Sequence, residues 1–168
     1  MLMAKAFSNI TTSRTIHFIL WGAEEQGLVG SNYYVDNLSS NGYNVVNSLI
    51  MDMIGYSNNF FGVKIETSGS VGPPTSFFSF PLPLLLPPIL RIKAANRALA
   101  SLYQDNMAEY SPTLTNTMST NYFGSDHVPF IDSGIPCFLA IEQGAFPLYQ
   151  KIDPRPQSQA INFFVLCR

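Results

Sequence analysis

Glu24 and Glu25 stand side by side just after a short apolar run, Thr15-Ile16-His17-Phe18-Ile19-Leu20-Trp21, with only Gly22-Ala23 between. A third carboxylate, Asp52, is embedded in the run Leu49-Ile50-Met51-Asp52-Met53-Ile54. A carboxylate in apolar surroundings needs a partner, a proton or a metal. Pairing with Lys or Arg is the ordinary solution, yet the chain has 9 basic residues and none is near Asp52 in sequence. Glu24 and Glu25 taken alone fit a helix start, where acidic side chains favour the positive end of the dipole. Three carboxylates at the ends of neighbouring strands suit a hard or borderline cation. Two histidines, His17 and His127, and two cysteines, Cys137 and Cys167, exclude a disulfide scaffold, a CxxC zinc knuckle and an iron–sulfur centre.

The elements that must position these groups read as α/β. Thr15–Trp21, Val45–Ile54, Phe61–Thr67 and Ile135–Ile141 are short apolar runs of the kind that form buried strands. Helices are predicted from Gln26 to about Asn37, with Leu28, Tyr33, Tyr34 and Leu38 as its apolar face, and from Arg91 to Met107, with Ile92, Ala95, Leu99 and Leu102 on one face. Ser111–Thr120 reads as polar loop, and Asp126–Ser133 as loop and short helix. Alternating strands and helices place sites beyond the carboxyl ends of the strands. Glu24 and Glu25 follow the first strand and Asp52 lies near the end of the second, so the three can converge.

The chain of 168 residues is long enough for one domain. Hydrophobic residues make up 46% and charged residues 12%, a composition that excludes wholesale disorder. A net charge of −2 excludes an electrostatic nucleic-acid binder. No apolar run reaches the ~18 residues of a membrane span, and Met1–Arg14 reads without the long apolar core and small-residue cleavage site of a secretory signal, which leaves the compartment open. Between Gly72 and Leu90, Pro73, Pro74, Pro81, Pro83, Pro87 and Pro88 are mixed with Phe and Leu. That stretch is expected to be an irregular insert within a single domain spanning 1–168.

Three motifs, in order, resemble the M28 zinc aminopeptidases: Trp21-Gly22-Ala23-Glu24-Glu25-Gln26-Gly27-Leu28-Val29-Gly30-Ser31, then Ile50-Met51-Asp52-Met53-Ile54-Gly55-Tyr56, then Ser125-Asp126-His127-Val128-Pro129-Phe130. Gly134-Ile135-Pro136 before an apolar strand also fits, and the resemblance covers roughly Arg14 to Phe146. It implies a three-layer α/β/α domain with a mixed sheet and a centre of two zinc ions. It further implies that Glu24 is the general acid/base, that Glu25 and Asp52 are zinc ligands, and that Asp126 and His127 support the site from outside the metal's own ligands. Its substrates would be peptides with a free amino terminus. His17 falls at a position the family leaves variable and reads as structural or exposed.

The same resemblance marks what the family has and this sequence lacks. A histidine ligand and a bridging aspartate are expected before the Glu-Glu pair, but Met1–Leu20 contains no His-x-Asp. A second histidine ligand is expected after the last strand, where Tyr149-Gln150-Lys151-Ile152-Asp153 puts Gln150 in its place. Catalytic zinc takes three protein ligands and an open position. The expectation is therefore a partial α/β/α domain and an incomplete copy of the site, inactive alone. Two rivals stand beside it: a non-catalytic binding module on the same fold, and a glutaminyl cyclase-like enzyme.

Overall fold

The computed structural model describes residues 2–54, 62–68, 87–120, 124–143 and 163–167. Among them, six strands form one mixed sheet in the order β1-β6-β2-β5-β3-β4. The strands are β1 (Thr15–Phe18), β2 (Val45–Asp52), β3 (Gly62–Glu66), β4 (Thr115–Ser119), β5 (Cys137–Glu142) and β6 (Phe163–Cys167). The helices are α1 (Leu2–Phe7), α2 (Val29–Asp36), α3 (Pro88–Tyr110) and α4 (Val128–Asp132). β2 and β5 are parallel, as are β3 and β4, while β6 is antiparallel to both β1 and β2 and β3 is antiparallel to β5. β1, β2 and β5 therefore point one way and end on the same edge of the sheet.

Alternation along β5 builds both sides of the core, as the two-residue period of a strand dictates. Cys137, Leu139 and Ile141 pack with Ile50 of β2, Val35 of α2, and Phe130 and Ile131 of α4. Phe138 and Ala140 turn to the other face, where Val63, Ile65, Ala100 and Met107 close over them from β3 and α3. Helices thus cover both faces of the sheet. The result is the expected α/β fold in three layers.

Several boundaries differ from the sequence reading. β4 occupies part of the predicted loop Ser111–Thr120; it is an edge strand with one partner, so its Thr115 and Thr117 face solvent. α3 begins at Pro88, a favoured residue at the first helical turn, and runs on to Tyr110. Its buried side is Ile92, Asn96, Ala100 and Met107; of the predicted face Ile92 is buried and Leu99 packs against the core, whereas Leu102 is exposed. Asn96 is pinned there by two buried hydrogen bonds: its amide donates to Ser68 Oγ at 2.7 Å, and its Oδ1 accepts from the Cys137 N–H at 2.8 Å. Of the predicted insert, Gly72 to Leu86 lies outside the described residues. No described helix is long and apolar enough to cross a membrane.

Candidate functional site

The Glu-Glu pair sits on a tight turn between β1 and α2. Trp21, 4% exposed, anchors its start by edge contact with Tyr34 of α2 and tilted contact with Phe130 of α4. The N–H groups of Gly27 and Leu28 both donate to the Glu24 carbonyl, at 2.9 and 2.8 Å, and Gly30 N–H donates to the Gly22 carbonyl at 3.0 Å. Gly30 is there because nothing larger fits: a Cβ would lie 2.7 Å from the Gly22 oxygen. The predicted helix from Gln26 starts three residues later, at Val29, because Leu28 adopts a left-handed conformation with φ of 59°. Glu24 and Glu25 are thereby held on a turn, not in the first turn of a helix.

Ala23, Leu28 and Met53 are the described non-glycine residues with positive φ. Ala23 immediately precedes Glu24 and Met53 immediately follows Asp52. Such conformations cost of order 1–3 kcal/mol each and gather where a site needs them.

Two buried serine hydroxyls tie the segments together. Ser31 Oγ, in the first turn of α2, donates to Asp126 Oδ1 at 2.6 Å. Ser125 Oγ donates to Asp52 Oδ2 at 3.0 Å. Burial, followed by the negative charges of Asp52, Glu25 and Asp126, pushes Glu24 up to about 7. Glu24 thus lies close enough to Asp52, Glu25 and Asp126 to feel the charge of each. Burial also raises Asp52 above the ordinary carboxylate range, opposed by the hydrogen bonds from Ser125 and the Met53 N–H. His127, fully buried, is held neutral, its pKa lowered to about 4 by burial.

The structure brings together Glu24, Glu25, Asp52 and Asp126, with His127 in the same turn as Asp126. His17 lies apart, half-buried, its Nδ1 2.9 Å from the Tyr34 hydroxyl. Gln150 and Asp153 lie outside the described residues. Ser31 and Ser125 were not singled out from the sequence as site residues, although each closes or opens one of the motifs. Among the described residues, no three His, Cys, Asp or Glu side chains are arranged to hold a metal ion. Glu25 and Asp52 are two oxygen donors, fewer than the three protein ligands of a catalytic zinc. The described residues therefore do not fit a complete zinc centre.

The family model for peptidase family M28 matches residues 1–157. The chain belongs to this family. Curated relatives of this M28 chain include a probable leucine aminopeptidase 2 from Aspergillus oryzae, 37% identical over 59 residues, or 34% of this chain and 12% of the relative. Leucine aminopeptidase 2 from Trichophyton equinum is 39% identical over 71 residues, 42% of this chain and 14% of the relative. A probable leucine aminopeptidase 2 from Aspergillus fumigatus is 42% identical over 40 residues, 24% of this chain and 8% of the relative. The matches of the M28 chain thus span between 8% and 14% of the length of these curated relatives.

Proposed function

We propose that the chain carries the proton-transfer part of an aminopeptidase-type site, acting on peptides with a free amino terminus. The reading is supported chiefly by the gathering of Glu24, Glu25, Asp52 and Asp126 at one sheet edge, on turns strained at Ala23 and Met53. Glu24 is assigned as the general acid/base: a carboxyl titrating near neutrality takes a proton from water and returns it to a departing amine. Its neighbours supply that tuning, as burial and like charges disfavour its ionised form. Ser125 donates to one oxygen of Asp52 and so fixes the orientation of that carboxylate.

In the family, zinc supplies Lewis-acid polarisation and activated water. Glu25 and Asp52 are proposed as two of its ligands, and Asp126 and His127 as supports.

The experiment has two arms. The purified chain is assayed for zinc content and for hydrolysis of leucyl-p-nitroanilide; weak zinc retention and turnover near background are expected. About two tightly held zinc ions with robust, chelator-sensitive turnover would overturn the incomplete-site reading. In the second arm, segments Trp21–Ser31 and Ser125–Phe130 replace their counterparts in the leucine aminopeptidase 2 of Trichophyton equinum. The chimera should remain active, and Glu24→Gln within it should lower kcat by at least 100-fold with zinc retained. Undiminished turnover in that variant would refute the role of Glu24.

A further inference from the structure

The last strand of the chain holds the sheet together at the site. β1 is four residues long and, among the described strands, pairs only with β6. β6 pairs on its other side with β2, so it alone joins the strand leading to Glu24 and Glu25 to the strand ending at Asp52. The pairing on both sides is irregular. The ladder shifts between His17 and Phe18 on one side and between Val45 and Asn47 on the other, whereas β2–β5, β3–β5 and β3–β4 run in unbroken register.

Geometry defines what this gap accepts. Neighbouring strands lie about 4.8 Å apart, so β1 and β2 flank a slot about 10 Å across, one strand wide. Both walls present backbone N–H and C=O groups, the template that adds an extended peptide to a sheet. Phe163-Phe164-Val165-Leu166-Cys167 is uncharged, lacks Gly and Pro, and is rich in strand-forming types. Val165 is in register with both walls, opposite His17 and opposite Ser48.

We propose that the gap between β1 and β2 is a strand-acceptor groove whose occupant is the segment Phe163–Cys167, exchangeable with the identical segment of a second copy. An occupant bound through irregular ladders on both sides leaves more readily than a strand in continuous register. Exchange of one identical element between protomers needs no new contacts. When the groove empties, β1 loses its partner and Glu24 and Glu25 lose their fixed distance from Asp52. The groove is independent of whether the site turns over peptides.

Hydrogen exchange of the full chain tests this directly. Amides of Thr15–Phe18 and of Phe163–Cys167 should exchange together, at least tenfold faster than those of Leu49–Asp52 and Phe138–Ile141. β6 amides as slow as those of β5, or β1 and β6 opening at different rates, would overturn the proposal. In a second measurement, Val165→Pro removes a ladder donor from the middle of the occupant. Emission of Trp21, the one tryptophan, should shift to longer wavelength. A synthetic peptide of Asn162–Arg168 with flanking lysines should reverse the shift, and the same peptide carrying the proline should not. Unshifted emission in Val165→Pro, or equal action of the two peptides, would also overturn it. Should Val165→Pro fail to fold, the exchange rates of the unmodified chain decide alone.

Discussion

Replacing Ser31 with Ala removes one oxygen atom and the donor that Asp126 Oδ1 holds at 2.6 Å. Both side chains are fully buried, so water cannot take the donor's place. Hydrogen bonds to charged groups contribute about 1.5–3 kcal/mol, and the hydroxyl leaves too small a space to add a cavity term. The expected loss is about 2 kcal/mol. For a chain of this size each kcal/mol lowers the melting temperature by about 2–4 °C, so Ser31→Ala should melt about 4–8 °C below the parent. Urea unfolding followed by Trp21 emission should show a lower midpoint with unchanged slope. Ser8→Ala is the control: its hydroxyl also donates at 2.8 Å, to the Lys5 carbonyl, but is exposed, and its loss should cost under about 0.5 kcal/mol. A double-mutant cycle with Asp126→Asn should give about 1 kcal/mol or more of coupling. If Ser31→Ala falls within about 0.5 kcal/mol of the parent, or the two substitutions simply add, this hydrogen bond does not tie α2 to the Asp-His turn.

Other outcomes follow from the same geometry. Gly30→Ala forces a methyl against the Gly22 carbonyl, and should destabilise by about 1–3 kcal/mol, measured by urea unfolding. His127 is lowered to about 4 in the fold against an ordinary 6.5, so the unfolded chain takes up the proton first as pH falls. Its contribution to stability should be full above pH 6.5 and decline toward pH 4, by about 3 kcal/mol, read as the change in the gap between the denaturation midpoints of the parent and of His127→Gln across that window. Glu24 has the opposite sign: its folded pKa of about 7 lies above the ordinary 4.5, so its ionisation weakens the fold as pH rises between them. Glu24→Gln should therefore melt higher than the parent at pH 8 and not at pH 4, by calorimetry. Cys137, fully buried with its thiol pushed up by burial, should resist iodoacetamide in the native chain and react in denaturant, as mapped by mass spectrometry.

The central strands were legible because burial on both faces leaves a continuous apolar run: β2 and β3 lie within the predicted segments, and β5 overruns its own by one residue, Glu142. The edge strand Thr115-Asn116-Thr117-Met118-Ser119 was not, since its polar residues and solvated face give it the composition of a loop. The start of α2 was misplaced because an acidic pair reads as a helix beginning, and no local rule reveals that Leu28 turns left-handed. On α3 a hydrophobic stripe was expected where the fold buries Asn96, a choice set by hydrogen bonds to Ser68 and the Cys137 backbone. The acidic residues of the candidate site stood out by their apolar surroundings. Their serine partners did not, because Ser31 meets Asp126 across 95 residues and Ser125 meets Asp52 across 73.

The pairing of Thr15 with Cys167 has a consequence for biosynthesis. Contacts between distant parts of a chain form late, after the entropy of closing the intervening loop has been overcome. A nascent chain leaving the ribosome presents β1 well before β6, its partner. Until β6 emerges, the strand that leads to Glu24 and Glu25 waits without that partner, a ready seed for pairing with other nascent chains. Slowing elongation should lengthen that wait and raise chaperone demand, whereas emergence of β6 should pair β1 and bring its end beside that of β2 in one step.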